Sequence, residues 1–147
     1  MKINKNNRGF TLLELFITLG IAALVLMAGV PGFKSFFSRM EVSNGVRTVT
    51  AALNTARYKA IMKNKSVKFV VESSKIVLKE KRGGKWEGFS HFDLSEKVSF
   101  SINSSPVFTP FGSVAPLCSI YVKNEISQYK ITLSIAGRIK VAEIKEK

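Results

Sequence analysis

The sequence predicts an α+β protein, with one long N-terminal helix followed by a small antiparallel β domain. Three observations support this fold class. The chain is almost free of charge from Phe10 to Phe33, apolar residues recur every three or four positions from Lys34 to Lys63, and apolar and polar residues alternate from Tyr129 to Ile135. The first two patterns are typical of helices, and the third is typical of a half-buried strand.

The apolar run from Phe10 to Phe33 is long enough to cross a membrane. Its 24 residues contain one ionisable side chain, Glu14, and a helix of this length measures about 36 Å. The nine residues before the run carry three cations, Lys2, Lys5 and Arg8. Positive charge of this density favours a cytoplasmic N-terminus. A secretory signal peptide would have a small-residue cleavage site after the run, and none follows it here.

We expect the helix to continue from residue 34 to residue 63 as an amphipathic segment. Six apolar residues with alternating spacings of four and three form one stripe along it: Val42, Val46, Val49, Leu53, Ala56 and Ala60. Such a stripe needs a protein layer to cover it. The layer is expected to come from residues 64–147.

Residues 64–147 are predicted to form short antiparallel strands. The β-rich or alternating segments are 67–71, 76–78, 86–92, 98–102, 117–122, 129–135 and 139–144. Residues 72–75 are predicted to form a hairpin turn. The charged segment from Lys79 to Lys85 is interpreted as a loop that turns at Gly83 and Gly84. Proline residues between 106 and 116 limit that stretch to short pieces.

The composition speaks against an enzyme and against a metal or cofactor site. The chain has one histidine, His91, one aspartate, Asp93, and one cysteine, Cys118. Catalytic and metal sites normally need clusters of such side chains. We therefore expect no catalytic residue, no metal and no cofactor, with His91 on the surface or in a turn and Cys118 buried and inert.

The segment Gly9-Phe10-Thr11-Leu12-Leu13-Glu14 resembles the type III signal of type IV pilins and of type II secretion pseudopilins. The resemblance implies that a prepilin peptidase cleaves after Gly9 and that the new amino terminus of Phe10 is N-methylated. Glu14 matches the acidic residue that the family carries five residues into the mature chain. A carboxylate near the end of an apolar helix is costly unless it is paired, so we expect Glu14 to pair with the amino terminus of a neighbouring subunit; the alternative is that it lies unpaired at the headgroup level. Pro31 matches the proline that kinks the helix near the end of its apolar half.

The carboxyl half resembles the GspH/FimT domain of minor pilins and minor pseudopilins. The resemblance lies in Phe108-Thr109-Pro110-Phe111-Gly112, in Ile135-Ala136-Gly137-Arg138-Ile139 and in Ala51 to Ile61. It implies a pilin-like subunit of a type IV pilus or a type II secretion pseudopilus. The implied partners are the peptidase, other pilins or pseudopilins, the inner-membrane assembly platform and, before assembly, the membrane itself.

This resemblance implies a location and a division of the chain. The subunit would cross the inner membrane once, with its N-terminus in the cytoplasm and its β domain in the periplasm, and would then enter the fibre. The division is a cleaved leader at 1–9, a transmembrane and fibre-core helix at 10–33, its amphipathic continuation at 34–63 and the β domain at 64–147.

The positive charge leaves a second function open. The formal net charge is +13, and ten basic residues but only two acidic ones lie between Arg57 and Lys85. Phosphate backbones attract such surfaces. Some FimT proteins are DNA receptors with basic residues near the Gly-Arg turn, where this chain has Arg138 and Lys140. The alternatives are a solvated face or a surface that matches acidic neighbours in a fibre.

Overall fold

The computed structural model describes residues 10–144, without the side chains of residues 28–32. It confirms the α+β class: one helix, α1 (Leu12–Met62), is followed by nine strands in two antiparallel sheets within these residues. The chain divides into two compact units at residues 36 and 37. The first unit is the N-terminal part of α1, and the second contains the rest of α1 and all the strands.

In the second unit, α1 is held by the stripe that the sequence predicts. All six residues of the stripe are buried, together with Ala52. Gly45 lies where the second sheet approaches the helix, because a Cβ at this position would be 3.2 Å from the Phe100 ring and 3.3 Å from Val122. The glycine weakens the helix by about 1 kcal/mol relative to alanine. Because it has no Cβ, the sheet that contains Phe100 and Val122 can pack close to the helix backbone.

The strands form two separate sheets. The first has the order β3-β2-β1-β5-β6 and the second has the order β4-β7-β8-β9. The strand bounds are β1 Val67–Glu72, β2 Lys75–Arg82, β3 Lys85–Asp93, β4 Ser99–Ile102, β5 Val107–Phe108, β6 Val114–Ala115, β7 Ser119–Lys123, β8 Gln128–Leu133 and β9 Ile139–Ile144. β5 and β6 have two residues each, as expected for a stretch that contains several prolines.

The interpretation of Lys79 to Lys85 as a loop is wrong over most of its length. β2 continues to Arg82 and β3 begins at Lys85, so only Gly83 and Gly84 form the turn. Both glycines have positive φ angles, +53° and +84°. β2 continues through these charged residues with its side chains still alternating between two faces, and Glu80 lies on the inner face, where it is 1% exposed.

The core lies between the stripe of α1 and the inner faces of both sheets. Its largest members on the strands are Phe69, Phe108, Ile76, Leu78, Ile120, Ile131 and Leu133. Cys118 is buried in the same core, and burial raises the pKa of its thiol. His91 is exposed on β3. Both residues therefore lie where the sequence predicts them.

Candidate functional site

The N-terminal part of α1 presents apolar side chains that nothing in the described chain covers. The large apolar residues from Leu12 to Met27, and Phe10 just before the helix, are 53–79% exposed: Phe10, Leu12, Leu13, Leu15, Phe16, Ile17, Leu19, Ile21, Leu24, Val25, Leu26 and Met27. A contiguous apolar surface of this size marks a site of contact with lipid or with another protein. Over the described residues, the structure contains no helix that meets the length and apolarity needed to cross a membrane.

Glu14 stands in the first turn of this apolar helix. The helix begins at Leu12, and the backbone N–H of Glu14 donates to the Thr11 hydroxyl at 3.3 Å, so Thr11 caps the helix. The Glu14 carboxylate is exposed and forms no ion pair with any side chain in the described part of the chain. A carboxylate at a helix N-terminus interacts favourably with the helix dipole, and it remains accessible to a cation from another molecule.

Two of the predicted processing and assembly residues lie outside the part of the chain that the structure describes. Gly9 and the leader at 1–9 lie outside the described residues, and the Pro31 side chain falls within the undescribed stretch 28–32. Phe10, the predicted methylation site, is described and is 79% exposed, two residues before the helix begins.

The three segments that resemble the GspH/FimT domain meet around Arg57 at one end of the second unit. The Arg57 Nη1 donates to the Gly137 carbonyl at 3.2 Å. Gly112 and Gly137 have φ angles of +78° and +71°, and a Cβ at either glycine would lie 3.1–3.3 Å from the Arg57 Nε. The guanidinium thus packs against both turns, and we call Arg57 with Gly112 and Gly137 the arginine clasp. Only glycine combines these φ angles with so close an approach.

Beside the arginine clasp, two large apolar side chains project from the same pair of turns. Phe111 is 95% exposed and Ile135 is 67% exposed. Their turns are joined directly, because the Val114 N–H donates to the Ile135 carbonyl at 2.8 Å. We call Phe111 and Ile135 the apolar knob.

The predicted DNA-binding residues flank the apolar knob. Arg138 and Lys140 are both exposed. The Arg138 backbone N–H donates to the Ser134 hydroxyl at 3.1 Å, which fixes the turn that carries this exposed side chain. Among the described residues, no three His, Cys, Asp or Glu side chains lie close enough to hold a metal ion.

A buried carboxylate ties the end of α1 to the first sheet. Glu80 accepts a hydrogen bond from the Lys63 ammonium at 2.7 Å and another from the Arg82 guanidinium. The hydrogen bond from Lys63 is the main cause that holds the pKa of Glu80 below its usual value, and Arg82 acts in the same direction against desolvation, which would raise it. The site anchors the helix end rather than performing chemistry.

The lowered pKa of Glu80 predicts acid sensitivity. In the unfolded chain, Glu80 binds a proton near pH 4.3, whereas in the folded chain it does so only at lower pH. The stabilisation from the Glu80 charge is therefore fully present above the unfolded pKa and is lost as the pH falls through the folded pKa. We expect Glu80→Gln to lower the thermal unfolding midpoint at pH 7, and the gap from the unmodified chain to close toward pH 3. Calorimetry of the full chain at both pH values measures this.

Glu87 provides the matched control, because it is an exposed carboxylate that faces Arg82 at 3.8 Å. Exposed pairs contribute little to stability, so Glu87→Gln should leave the midpoint almost unchanged at either pH. An equal gap for Glu80→Gln at pH 7 and pH 3 would contradict the role of the Glu80 charge.

Two features can be compared with known proteins: the apolar N-terminal part of α1 and the α+β fold of the second unit. The prokaryotic N-terminal methylation motif matches residues 4–30. The chain therefore carries a prepilin-type methylation motif at its N-terminus, and its fold is pilin-like, as the following structures show.

Two solved structures of the minor pseudopilin EpsH from the type II secretion system of Vibrio cholerae resemble this chain. The first has 14% sequence identity, and the match covers 70% of this chain and 97% of the EpsH chain, with a TM-score of 0.59. The other is 11% identical and matches 73% of this chain and 96% of its own, with a TM-score of 0.61. At these identities the likeness concerns the fold. No curated protein matches the chain significantly.

Proposed function

We propose that the protein is a structural minor subunit of a type IV pilus or a type II secretion pseudopilus and has no catalytic activity. One observation carries the proposal: the second unit has buried its own stripe and core, whereas the apolar side chains of the first unit are more than half exposed. A helix with this surface needs lipid or other helices around it. The N-terminal methylation motif and the structural likeness to the minor pseudopilin EpsH support the same role.

Maturation would proceed in three steps. The chain first lies in the inner membrane, with residues 1–9 in the cytoplasm, residues 10–33 across the bilayer and the β domain in the periplasm. The prepilin peptidase then cleaves after Gly9, and the new amino group of Phe10 is methylated. With the assembly platform, the trimmed helix then joins other pilins or pseudopilins. Residues 34–63 continue the helix and 64–147 form the head.

Glu14 would guide this last step. Cleavage creates a cationic amine at Phe10, and in a bundle of parallel helices the exposed Glu14 of one subunit lies near the amine of the next. The Glu14 carboxylate and the neighbouring amine are then both removed from water, and the free-energy cost of this is offset only if the two charges pair. Pro31 would let the helix bend where it leaves the apolar part.

The experiment is to express the full chain in a host with its prepilin peptidase and to compare the membrane fraction with sheared fibres. Mass spectrometry should find a chain that starts at methylated Phe10, and the sheared fraction should contain it. Gly9→Val is the control that should remain full length. Recovery of an untrimmed chain that never enters the fibres would overturn the proposal.

DNA binding during uptake is the second candidate, favoured by the exposed Arg138 and Lys140 beside the arginine clasp. If these residues bind the phosphate backbone, Arg138→Ala with Lys140→Ala should weaken DNA binding by the full chain in detergent and reduce its salt slope by about 2. Mobility shift at several salt concentrations measures both. Lys75→Ala with Lys85→Ala is the matched control, because both residues are exposed cations, at the starts of β2 and β3. An unchanged slope in the first variant would remove this candidate.

A further inference from the structure

The apolar knob projects from a turn that is held in place. Phe111 is almost fully exposed, but the Arg57 guanidinium packs against the glycine that follows it. Within the turn, the Gly112 N–H donates to the Thr109 carbonyl at 2.9 Å, and the Thr109 and Ser113 hydroxyls are 2.7 Å apart. An exposed aromatic side chain on a fixed backbone loses little conformational entropy on binding, and aromatic residues are enriched at the centres of protein interfaces.

The last turn of α1 enlarges this apolar surface. Ile61 adjoins the apolar knob, because its Cδ1 atom lies 3.1 Å from the position of a Cβ at Gly112. Ile61 is nearly half exposed, and Tyr58 and Met62 on the same turn are more than half exposed. We call Tyr58, Ile61, Met62 and the apolar knob the end patch. A contiguous apolar surface of this kind marks a site of contact with another molecule.

The rim of the end patch is cationic. The three segments that form this end of the unit, 57–65, 109–117 and 134–140, contain six basic residues and no acidic one: Arg57, Lys59, Lys63, Lys65, Arg138 and Lys140. Lys63 pairs with Glu80, and Arg57 donates within the arginine clasp. The other four form no ion pair within the described residues. A surface with an apolar centre and an acidic rim would therefore match this end of the unit.

The position of the end patch speaks against the bilayer as its partner. Within the second unit, α1 runs from Ser38 to Arg57, about 28 Å of helix. Ser38 is five residues beyond Phe33, the end of the predicted span, and five residues reach at most about 18 Å even when extended. Under the proposed function, the second unit begins beside the membrane, and the end patch lies at its other end.

A second copy of this chain is also an unsuitable partner. The open groove of about 1350 Å³ beside Ser38 is mostly polar, because only Ile126 and Ile144 are apolar among its fourteen lining residues. Three cations line it together with four carboxylates, so it matches neither the apolar centre nor the cationic rim of the end patch. Each copy has a formal net charge of +13 before trimming, and two such surfaces repel each other.

We propose that the end patch binds the folded domain of a different prepilin-type subunit, whose contact surface has an apolar centre and an acidic rim. A fibre of pilins or pseudopilins brings the folded domains of successive subunits together. The end patch would select the subunit that lies next to this one and would exclude a second copy, as expected for a minor subunit. The inference rests on the proposed function and adds to it the surface that recognises the neighbour.

Photo-cross-linking of the full chain in its native host, with the other prepilin-type proteins present, tests this contact. Phe111 is replaced by p-benzoylphenylalanine, which keeps an aromatic ring at the end patch. Illumination should join the chain to one other prepilin-type protein, and mass spectrometry should map the link to a surface of that protein with acidic residues. The same replacement at Ile126, an exposed apolar residue outside the end patch, is the matched control and should give less than about a tenth of this product.

Charge reversal tests whether the cationic rim selects the partner. Arg138→Glu with Lys140→Glu should reduce the product at least about tenfold, because like charges then meet. Lys75→Glu with Lys85→Glu should leave it unchanged, since these cations lie outside the end patch. All four side chains are exposed, so both double variants should keep their thermal unfolding midpoints. Replacing the mapped acidic residues of the partner with lysine should restore the product of the first double variant.

Every other outcome overturns the inference. A product of the chain with itself, with lipid, or with a protein that lacks the methylation motif would mean a different partner. A product that survives reversal of Arg138 and Lys140 would mean that the cationic rim selects nothing. If the chain is trimmed, enters the fibres and gives no product, the contact is wrong and the proposed function stands. A chain that is neither trimmed nor found in fibres overturns the inference and the proposed function together.

Discussion

Glu14→Ala is expected to leave the chain trimmed but to reduce its recovery in sheared fibres at least about tenfold. The carboxylate is exposed in the first turn of α1 and has no ion-pair partner in the described chain, so it is available to the amine of a neighbouring subunit. Its removal leaves that amine without a counter-charge among apolar helices. Breaking a buried pair in this way costs about 3–5 kcal/mol, and every 1.4 kcal/mol corresponds to about tenfold.

Two further variants separate the charge from other effects of the substitution. Glu14→Gln keeps the size of the side chain and should be as defective as alanine if the charge matters. Thr18→Ala removes a polar group one turn further along, whose hydroxyl already donates to the Leu15 carbonyl at 2.9 Å, and it should assemble normally. The quantity to compare is the ratio of fibre to membrane protein on immunoblots.

The helix dipole offers a competing explanation of modest size. An acidic residue in the first turn stabilises a helix by about 0.3–1 kcal/mol, which is too little for a tenfold loss. Normal incorporation of both Glu14 variants would therefore refute the pairing with the neighbouring amine, whatever their effect on the helix itself.

Gly137→Ala is expected to destabilise the second unit by about 3 kcal/mol or more. The residue has φ +71°, and an alanine Cβ would collide with the Gly112 carbonyl oxygen and lie 3.1 Å from the Arg57 Nε. Backbone oxygen cannot move aside as a flexible side chain can, so the arginine clasp must open. The loss then adds the Arg57 hydrogen bond to the strain of the left-handed conformation. Denaturant unfolding of the full chain in detergent measures it.

Gly83→Ala is the matched control, because Gly83 has φ +53° and nothing within 4 Å of its Cβ position. It carries the conformational penalty of about 1–2 kcal/mol without the collision. If the two alanine variants unfold at the same denaturant concentration, the arginine clasp contributes nothing to stability. If Gly137→Ala lowers the free energy of unfolding more than Gly83→Ala does, the difference comes from the packing around Arg57.

The helix and most strands were predictable because their patterns are local. The stripe from Val42 to Ala60 has a helical period, and every member is buried. β8 alternates with a period of two, and the predicted bounds of β9 agree with the structure. These signals extend over a few residues and do not depend on distant parts of the chain.

The second half of β2 was missed because its composition is misleading. The segment from Lys79 to Arg82 is fully charged, which is typical of a loop, but Glu80 pairs with one cation just after α1 and with another on its own strand. A buried carboxylate is acceptable in a strand only when such partners are present, and sequence spacing does not reveal that Lys63 is one of them.

The arginine clasp was also beyond the reach of the sequence pattern. Arg57 and Gly137 are separated by 80 positions, and Arg57 lies on the helix like any other half-buried basic residue. The resemblance to the GspH/FimT domain pointed to all three segments but not to their meeting point. The Thr11 cap, in contrast, could have been found, since Thr11 and Glu14 have the spacing of a capping box.

The arginine clasp also has a consequence for how the second unit responds to reducing conditions. With one cysteine in the chain, the two turns are closed by a guanidinium and two glycines instead of a covalent bridge. The second unit can therefore fold without forming an internal disulfide bond, and reductants such as dithiothreitol should not alter its thermal unfolding midpoint.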